Sequence, residues 1–142
     1  MSVRIKDTRS LAARCLIGTG CLSLAAGAML HLNGGYRLVR AGVLASNLNI
    51  ELQSALRCVF LIVGWHWLMI ASIALIAAFS RAPAAKAVVL LCAVALIVDD
   101  VLMAKFLGWF VGTDIILVSA LLILGGGFAT APARRVVEQL AK

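Results

Sequence analysis

The sequence predicts an all-α integral membrane protein, an antiparallel bundle of four helices that forms a single domain of 142 residues. Three observations predict it. Hydrophobic residues make up 63% of the chain and charged residues 13%, whereas soluble domains are about 45 to 50% apolar and about 25% charged. Four apolar runs each approach the roughly 20 residues that cross a hydrocarbon core. The runs are continuous rather than alternating, which favours helices over barrel strands.

The four runs give the expected helix bounds. They extend over Leu11–Leu30, Leu56–Phe79, Ala87–Phe106 and Trp109–Phe128. The first run follows basic residues, as the apolar part of a signal peptide does, but it exceeds the usual length of about 7 to 15 residues. We therefore expect it to be retained as a helix. The short connections between the later runs favour antiparallel neighbours.

Residues 31–55 are predicted as an outer loop. From Asn47 to Gln53 polar and apolar residues alternate, which is typical of a strand. No second run of this kind is present to pair with it, so an amphipathic segment lying across the outer helix ends is the preferred interpretation. Residues 129–142 are predicted as a cytoplasmic tail, with a short interfacial helix after Pro132.

The basic residues predict the orientation. Cytoplasmic flanks of membrane helices carry an excess of Lys and Arg, and nine of the thirteen fall on the side of the two termini. We therefore expect both termini in the cytoplasm and a location in the inner membrane of a bacterium. The net charge of +7 is explained by topology and by contact with anionic lipid. No basic stripe with interleaved aromatic residues lies outside the runs, so nucleic acid is excluded as a partner and the lipid bilayer is expected instead.

Ionisable residues inside the runs predict a site. His66, Asp99, Asp100 and Asp114 lie on three different helices, each about 7 to 10 Å below the outer boundary. Such residues are costly in a membrane and usually face the bundle interior. We expect at least two of the three aspartates to lie within ion-pair or hydrogen-bond reach of a base, the available bases being Arg37, Arg40, Arg57, Lys105 and His66.

Four interpretations of this cluster remain open: an ion-pair lock between helices, a small-molecule site, a proton path and a metal site. A metal site is disfavoured because Asp99 and Asp100 point about 100° apart on a helix, and the four cysteines lack zinc-type spacing. No catalytic motif is present, so no catalytic residue is proposed. The aromatic pair beside His66 fits either an interfacial belt or the walls of a pocket for a planar ligand such as a quinone. The candidate ligand-binding residues are Arg57, Trp65, His66, Trp67, Asp99, Asp100 and Asp114.

The chain resembles the DoxX-like superfamily of small four-helix membrane proteins. The resemblance is carried by Ala55-Leu56-Arg57 at the opening of the second helix, by Gly64 on that helix and by Asp114 early in the fourth. The third helix has Asp99-Asp100 where the family pattern has Gly-Arg. The resemblance implies a role near quinone-coupled sulfur oxidation or membrane redox complexes.

Two classes of function follow. The first is a non-catalytic accessory subunit of a larger membrane complex, or a self-oligomer, which the small extramembrane mass favours. The expected docking faces are Ser23-x-x-x-Gly27 in the first helix and Gly125-Gly126-Gly127 in the fourth, because small residues let a neighbouring backbone approach. The alternative is a DoxX-like redox protein that binds a quinone or a lipid through the His/Asp/Arg cluster.

Overall fold

The structure, a computed structural model, describes residues 2–130, with side chains from residue 11 onward, and this part of the chain is all-helical. It contains four helices that are long and apolar enough to cross a membrane, as predicted. The elements are α1 (Ser2–Leu30), a π-helical segment (His31–Gly35), α2 (Tyr36–Leu44), α3 (Ile50–Phe79), α4 (Ala85–Leu107) and α5 (Val111–Ala129).

The structure differs from the predicted outer loop over residues 31–55. Helix α1, the π-helical segment and α2 form one helical column that ends at Leu44, and only residues 45–49 lie outside helices. The Asn33-Gly34-Gly35 sequence is typical of a turn, but here it forms a wider helical turn in which Asn33 Nδ2 donates to Met29 O at 2.8 Å. The predicted tail beyond residue 130 lies outside the described residues.

Helix α3 begins six residues before the predicted second run because a capping residue precedes it. Asn49 has extended backbone angles, and its side-chain Oδ1 accepts a hydrogen bond from Leu52 N at 2.8 Å. This satisfies one of the unpaired N–H groups of the first turn. The alternating stretch from Asn47 to Gln53 is therefore divided between the connection and the first turn of α3.

The long helices are arranged in a ring. Helix α1 packs against α3 and α5, α4 also packs against α3 and α5, and α2 packs against α3. We call the two ends of this ring the 80–84 end and the 45–49 end, after the connections they carry. At the 80–84 end Lys86 Nζ donates to Thr130 O at 3.2 Å, and the Arg14 guanidinium lies 5.5 Å from the Phe79 ring centroid.

Glycines allow the close contacts between α1, α5 and α4. A Cβ atom added at Gly20 would lie 2.8 Å from Ile123, one at Gly126 would lie 2.5 Å from Ile17, and one at Gly127 would lie 2.8 Å from Leu90. Backbone atoms of the facing helix are equally close at Gly20 and Gly126, where an added Cβ atom would lie 2.9 Å from Ser119 O and 2.8 Å from Ala13 O. Small residues also contribute to the core, in which the fully buried alanines are Ala13, Ala28, Ala74, Ala93 and Ala120.

The small-residue faces expected to dock a partner are largely used inside the bundle. Gly27 faces Ile115 of α5, at 2.7 Å from an added Cβ atom, and Gly126 faces Ala13 and Ile17 of α1. Gly125 alone of the triple glycine has open space in front of it. Gly126 is therefore used for packing between α1 and α5, whereas Gly27 faces α5 but is only half-buried and also borders the cavity described below.

Candidate functional site

His66 and Asp99 form the one ion pair of the predicted cluster. The distance between His66 Nε2 and Asp99 Oδ2 is 3.3 Å, and their side chains are 49% and 29% exposed. The approach lacks hydrogen-bond geometry, since Asp99 Oδ2 has no hydrogen-bond partner. The pair therefore joins α3 to α4 at the edge of the bundle rather than in its interior.

Three further predicted residues lie at the periphery. Asp114 is exposed, and its Oδ1 accepts a hydrogen bond from Trp109 Nε1 at 2.9 Å. Trp65 is 62% exposed. Arg57 donates from Nε to Gln53 O and from a terminal nitrogen to Ser54 Oγ, both at 3.3 Å. The Arg57 side chain thus extends along its own helix and does not reach an aspartate.

Trp67 and Asp100 are the two predicted residues that face the interior. Trp67 is only 3% exposed and Asp100 only 4% exposed. Trp67 Nε1 and Asp100 Oδ1 are both buried without a hydrogen-bond partner. Each follows a residue of the peripheral pair in the sequence, because a step of about 100° per residue turns neighbours on a helix away from each other.

The predicted cluster is therefore divided. Of the three aspartates, only Asp99 lies within ion-pair reach of a base among the described residues, so the expectation of at least two partnered aspartates is not met. A shared level on neighbouring helices does not fix the direction in which each side chain points. Among the side chains described from residue 11 to residue 130, no group of three or more His, Cys, Asp or Glu is placed to hold a metal ion.

A large apolar cavity lies at the 45–49 end. Its volume is about 750 Å³, and it lies between the π-helical segment, α2 and the facing parts of α1, α3, α4 and α5. Of the candidate ligand-binding residues that the sequence predicts, only Trp67 lies on the cavity wall. Much of the wall is formed by the aliphatic and aromatic side chains of Leu24, Leu30, Val39, Leu56, Phe60, Val63, Met103, Phe110, Ile115 and Ile116.

His31 is a polar residue of the cavity wall that sequence reasoning missed. Its ring stacks on the Phe60 ring with centroids 3.7 Å apart and meets the Trp67 ring edge-on at 4.9 Å. His31 Nε2 lies 2.9 Å from Phe60 O. Gly64 makes this crossing possible, since an added Cβ atom there would lie 2.6 Å from Leu32.

A helical spacing in the sequence could have revealed this wall. His31, Gly35, Val39 and Val43 recur every four residues, and all four line the cavity. Positions i and i+4 share one face of a helix, so the spacing indicates a helix that continues past Leu30. The Asn-Gly-Gly sequence instead indicates that the helix ends, because a helix passes through such a sequence here only by a π-helical turn, which is rare.

Comparison with models of protein families, with curated proteins and with solved structures finds no match to the chain. The resemblance to the DoxX-like superfamily therefore stays a hypothesis. Function is inferred below from the chain's own geometry, above all from the apolar cavity at the 45–49 end.

Proposed function

We propose that this protein is a multi-pass membrane protein that holds a hydrophobic molecule in the cavity at its 45–49 end. The observation that carries the proposal is the cavity itself, because about 750 Å³ of apolar-lined space falls within the roughly 300 to 1,000 Å³ of ligand sites. The cavity is open on one side, and several of its apolar wall residues, such as Leu38 and Val111, are exposed, so their side chains lack packed contacts within the chain. A hydrophobic occupant supplies those contacts.

The lengths of the helices support placement in a bilayer. Helix α5 has 19 residues and spans about 28 Å, close to the hydrocarbon thickness of about 30 Å. The candidate span Leu11–Leu44 has 34 residues and reaches about 50 Å. We propose an antiparallel bundle in which α2 and the first turns of α3 extend into the outer interface, with both termini in the cytoplasm of a bacterium, as the basic flanks indicate.

Cysteine accessibility tests this orientation. In a chain whose four cysteines are replaced by alanine, we expect a cysteine introduced at Ser46 to react with an impermeant maleimide in intact cells. A cysteine introduced at Ser80 should react only after the cells are opened. Reaction at Ser80 but not at Ser46 would reverse the orientation, and protection of both positions would contradict the placement of α2 at the interface.

A cavity-filling substitution tests the binding proposal. Val39 lines the cavity from α2, so Val39→Trp should occupy part of the space that the ligand needs. Val118 is half-exposed on α5 and does not line the cavity, so Val118→Trp is the matched control. We expect native mass spectrometry of protein extracted in mild detergent to show a bound hydrophobic molecule in the wild type and the control, and none in Val39→Trp. Absence of any such molecule in the wild type would contradict the proposal.

The accessory-subunit hypothesis is a second proposal with a different outcome in the same experiment. Its expected docking faces at Gly27 and Gly126 are occupied within the bundle, and the open positions left on the spanning parts of α1 and α5 are Gly18 and Gly125. If native mass spectrometry shows a foreign polypeptide bound in a fixed stoichiometry and no hydrophobic molecule, the result would favour the accessory-subunit hypothesis. A quinone is one hydrophobic molecule of suitable class, but it would contact the cavity wall rather than Trp65 or His66.

A further inference from the structure

The hydrogen bond between His31 and Phe60 fixes which nitrogen of the His31 ring carries the proton. Phe60 O is a carbonyl oxygen and can only accept, so Nε2, at 2.9 Å, must donate. In the neutral ring the other nitrogen, Nδ1, is then an acceptor. A neutral His31 therefore offers one acceptor, at Nδ1, in a cavity whose wall is otherwise almost entirely apolar.

This acceptor has no hydrogen-bond partner among the described residues, and the ring that carries it is held in place. Nδ1 makes no hydrogen bond within the described part of the chain, and it is not among the polar atoms that are buried without a partner. The ring is fixed on one face by Phe60 and contacted by Trp67, while Gly64 lets α3 approach it. A preoriented group binds without a further loss of side-chain entropy.

We propose that the molecule held in the cavity is a long apolar chain with an uncharged head that donates an O–H hydrogen bond to His31 Nδ1; this inference rests on the function proposed above. No Lys, Arg, Asp or Glu side chain lines the cavity. A charged head would therefore be desolvated without a counter-charge, at high cost. An ether or ester head accepts but does not donate, so it leaves Nδ1 unpaired. A hydroxyl group is uncharged and can donate a hydrogen bond to Nδ1, so it satisfies both requirements.

A series of four ligands tests this chemistry on the full chain in mild detergent. The ligands are 1-hexadecanol, hexadecyl methyl ether, hexadecane and palmitic acid, and native mass spectrometry gives their apparent dissociation constants. We expect 1-hexadecanol to bind about tenfold more tightly than the ether and the alkane, since one added hydrogen bond is worth a factor of this order. Palmitic acid is ionised in neutral solution, so we expect it to bind weakly, and binding of the acid as tightly as the alcohol would overturn the uncharged head.

The two histidines of the chain provide a matched pair of variants. His31→Phe keeps an aromatic ring for stacking on Phe60 but removes Nδ1, and we expect it to abolish the preference for the alcohol over the alkane. His66→Phe changes a histidine that lies outside the cavity wall and should leave the tenfold preference unchanged. Loss of the preference in His66→Phe instead, or its persistence in His31→Phe, would overturn the assignment of His31.

Nitrogen-15 spectra of histidine-labelled protein give a second measurement that does not depend on whether His31→Phe folds. In the His66→Phe background His31 is the sole histidine, and its spectrum should show the tautomer protonated at Nε2. Addition of 1-hexadecanol should shift the Nδ1 resonance, and addition of hexadecane should not. If all four ligands bind equally and the resonance does not move, the head-group inference fails while the cavity function stands. If no ligand binds, the cavity function itself fails.

Discussion

The two ends of the bundle differ in what their facing residues allow. At the 80–84 end glycines and alanines bring backbones into contact, as where Gly126 meets Ala13 and Ile17. At the 45–49 end close approaches also occur, as where Gly64 meets Leu32, but α2 and the facing helices leave an open cavity of about 750 Å³ between them. The comparison indicates that one end supplies the packing that holds the helices together and the other keeps space for a ligand.

The largest expected effect is at the packed end. Gly126→Leu introduces a side chain where even a Cβ atom would lie 2.5 Å from Ile17 and 2.8 Å from the backbone oxygen of Ala13. We expect a loss of at least about 3 kcal/mol in the free energy of unfolding, the upper part of the range for overpacked cores. Thermal unfolding in detergent measures it.

The adjacent glycine is the matched control for that substitution. An added Cβ atom at Gly125 meets nothing within 4 Å, so Gly125→Leu should change the free energy of unfolding by no more than about 0.5 kcal/mol. Equal destabilisation by the two variants would mean that α5 does not present Gly126 to α1 and would remove the contrast between the ends.

An intermediate loss in the free energy of unfolding is expected when a buried side chain is shortened. Ile123 is fully buried against α1, and Ile123→Ala should cost about 2 to 5 kcal/mol, as for large-to-small changes in other cores. Val39 borders the cavity and is partly exposed, so Val39→Ala should cost less than about 1 kcal/mol because few packed contacts are lost. Chemical unfolding of both variants in the same detergent compares them, and a larger loss for Val39→Ala would reverse the assignment of the packed and open ends.

The smallest effect is expected at the ion pair. Asp99→Asn removes a charge from a partly exposed pair that lacks hydrogen-bond geometry. Interhelical polar contacts within membranes contribute about 0.6 kcal/mol on average, so the unfolding temperature should hardly move. A loss comparable to that of Ile123→Ala would restore the hypothesis of an ion-pair lock between α3 and α4.

The composition and the four apolar runs were enough to predict an all-helical chain with four helices of membrane-spanning length, because these properties depend on many residues together. Short turn sequences were less reliable for predicting where a helix ends. Asn33-Gly34-Gly35 indicated the end of a helix, yet the column continues through a π-helical segment to Leu44. A local turn signal is outweighed here by the contact of the segment with Phe60 and Gly64.

The candidate site shows a similar limit. The sequence places His66, Asp99 and Asp114 at one level, but it does not give the rotation of each helix about its axis. Rotation is set by packing, which turns Trp67 and Asp100 inward and leaves Trp65 and Asp114 exposed. The cavity and His31 were missed because they depend on the continuation of α1 and on the crossing at Gly64, neither of which composition reveals.

An experimental structure of the full chain in lipid nanodiscs would test the occupied cavity most directly. We predict continuous elongated density between α2, α3 and α5, bordered by Val39, Val63 and Ile115, with one end beside His31. A 45–49 end in which α2 closes against α5 so that no space remains, with Val39 packed on Ile115, would contradict a ligand-holding cavity.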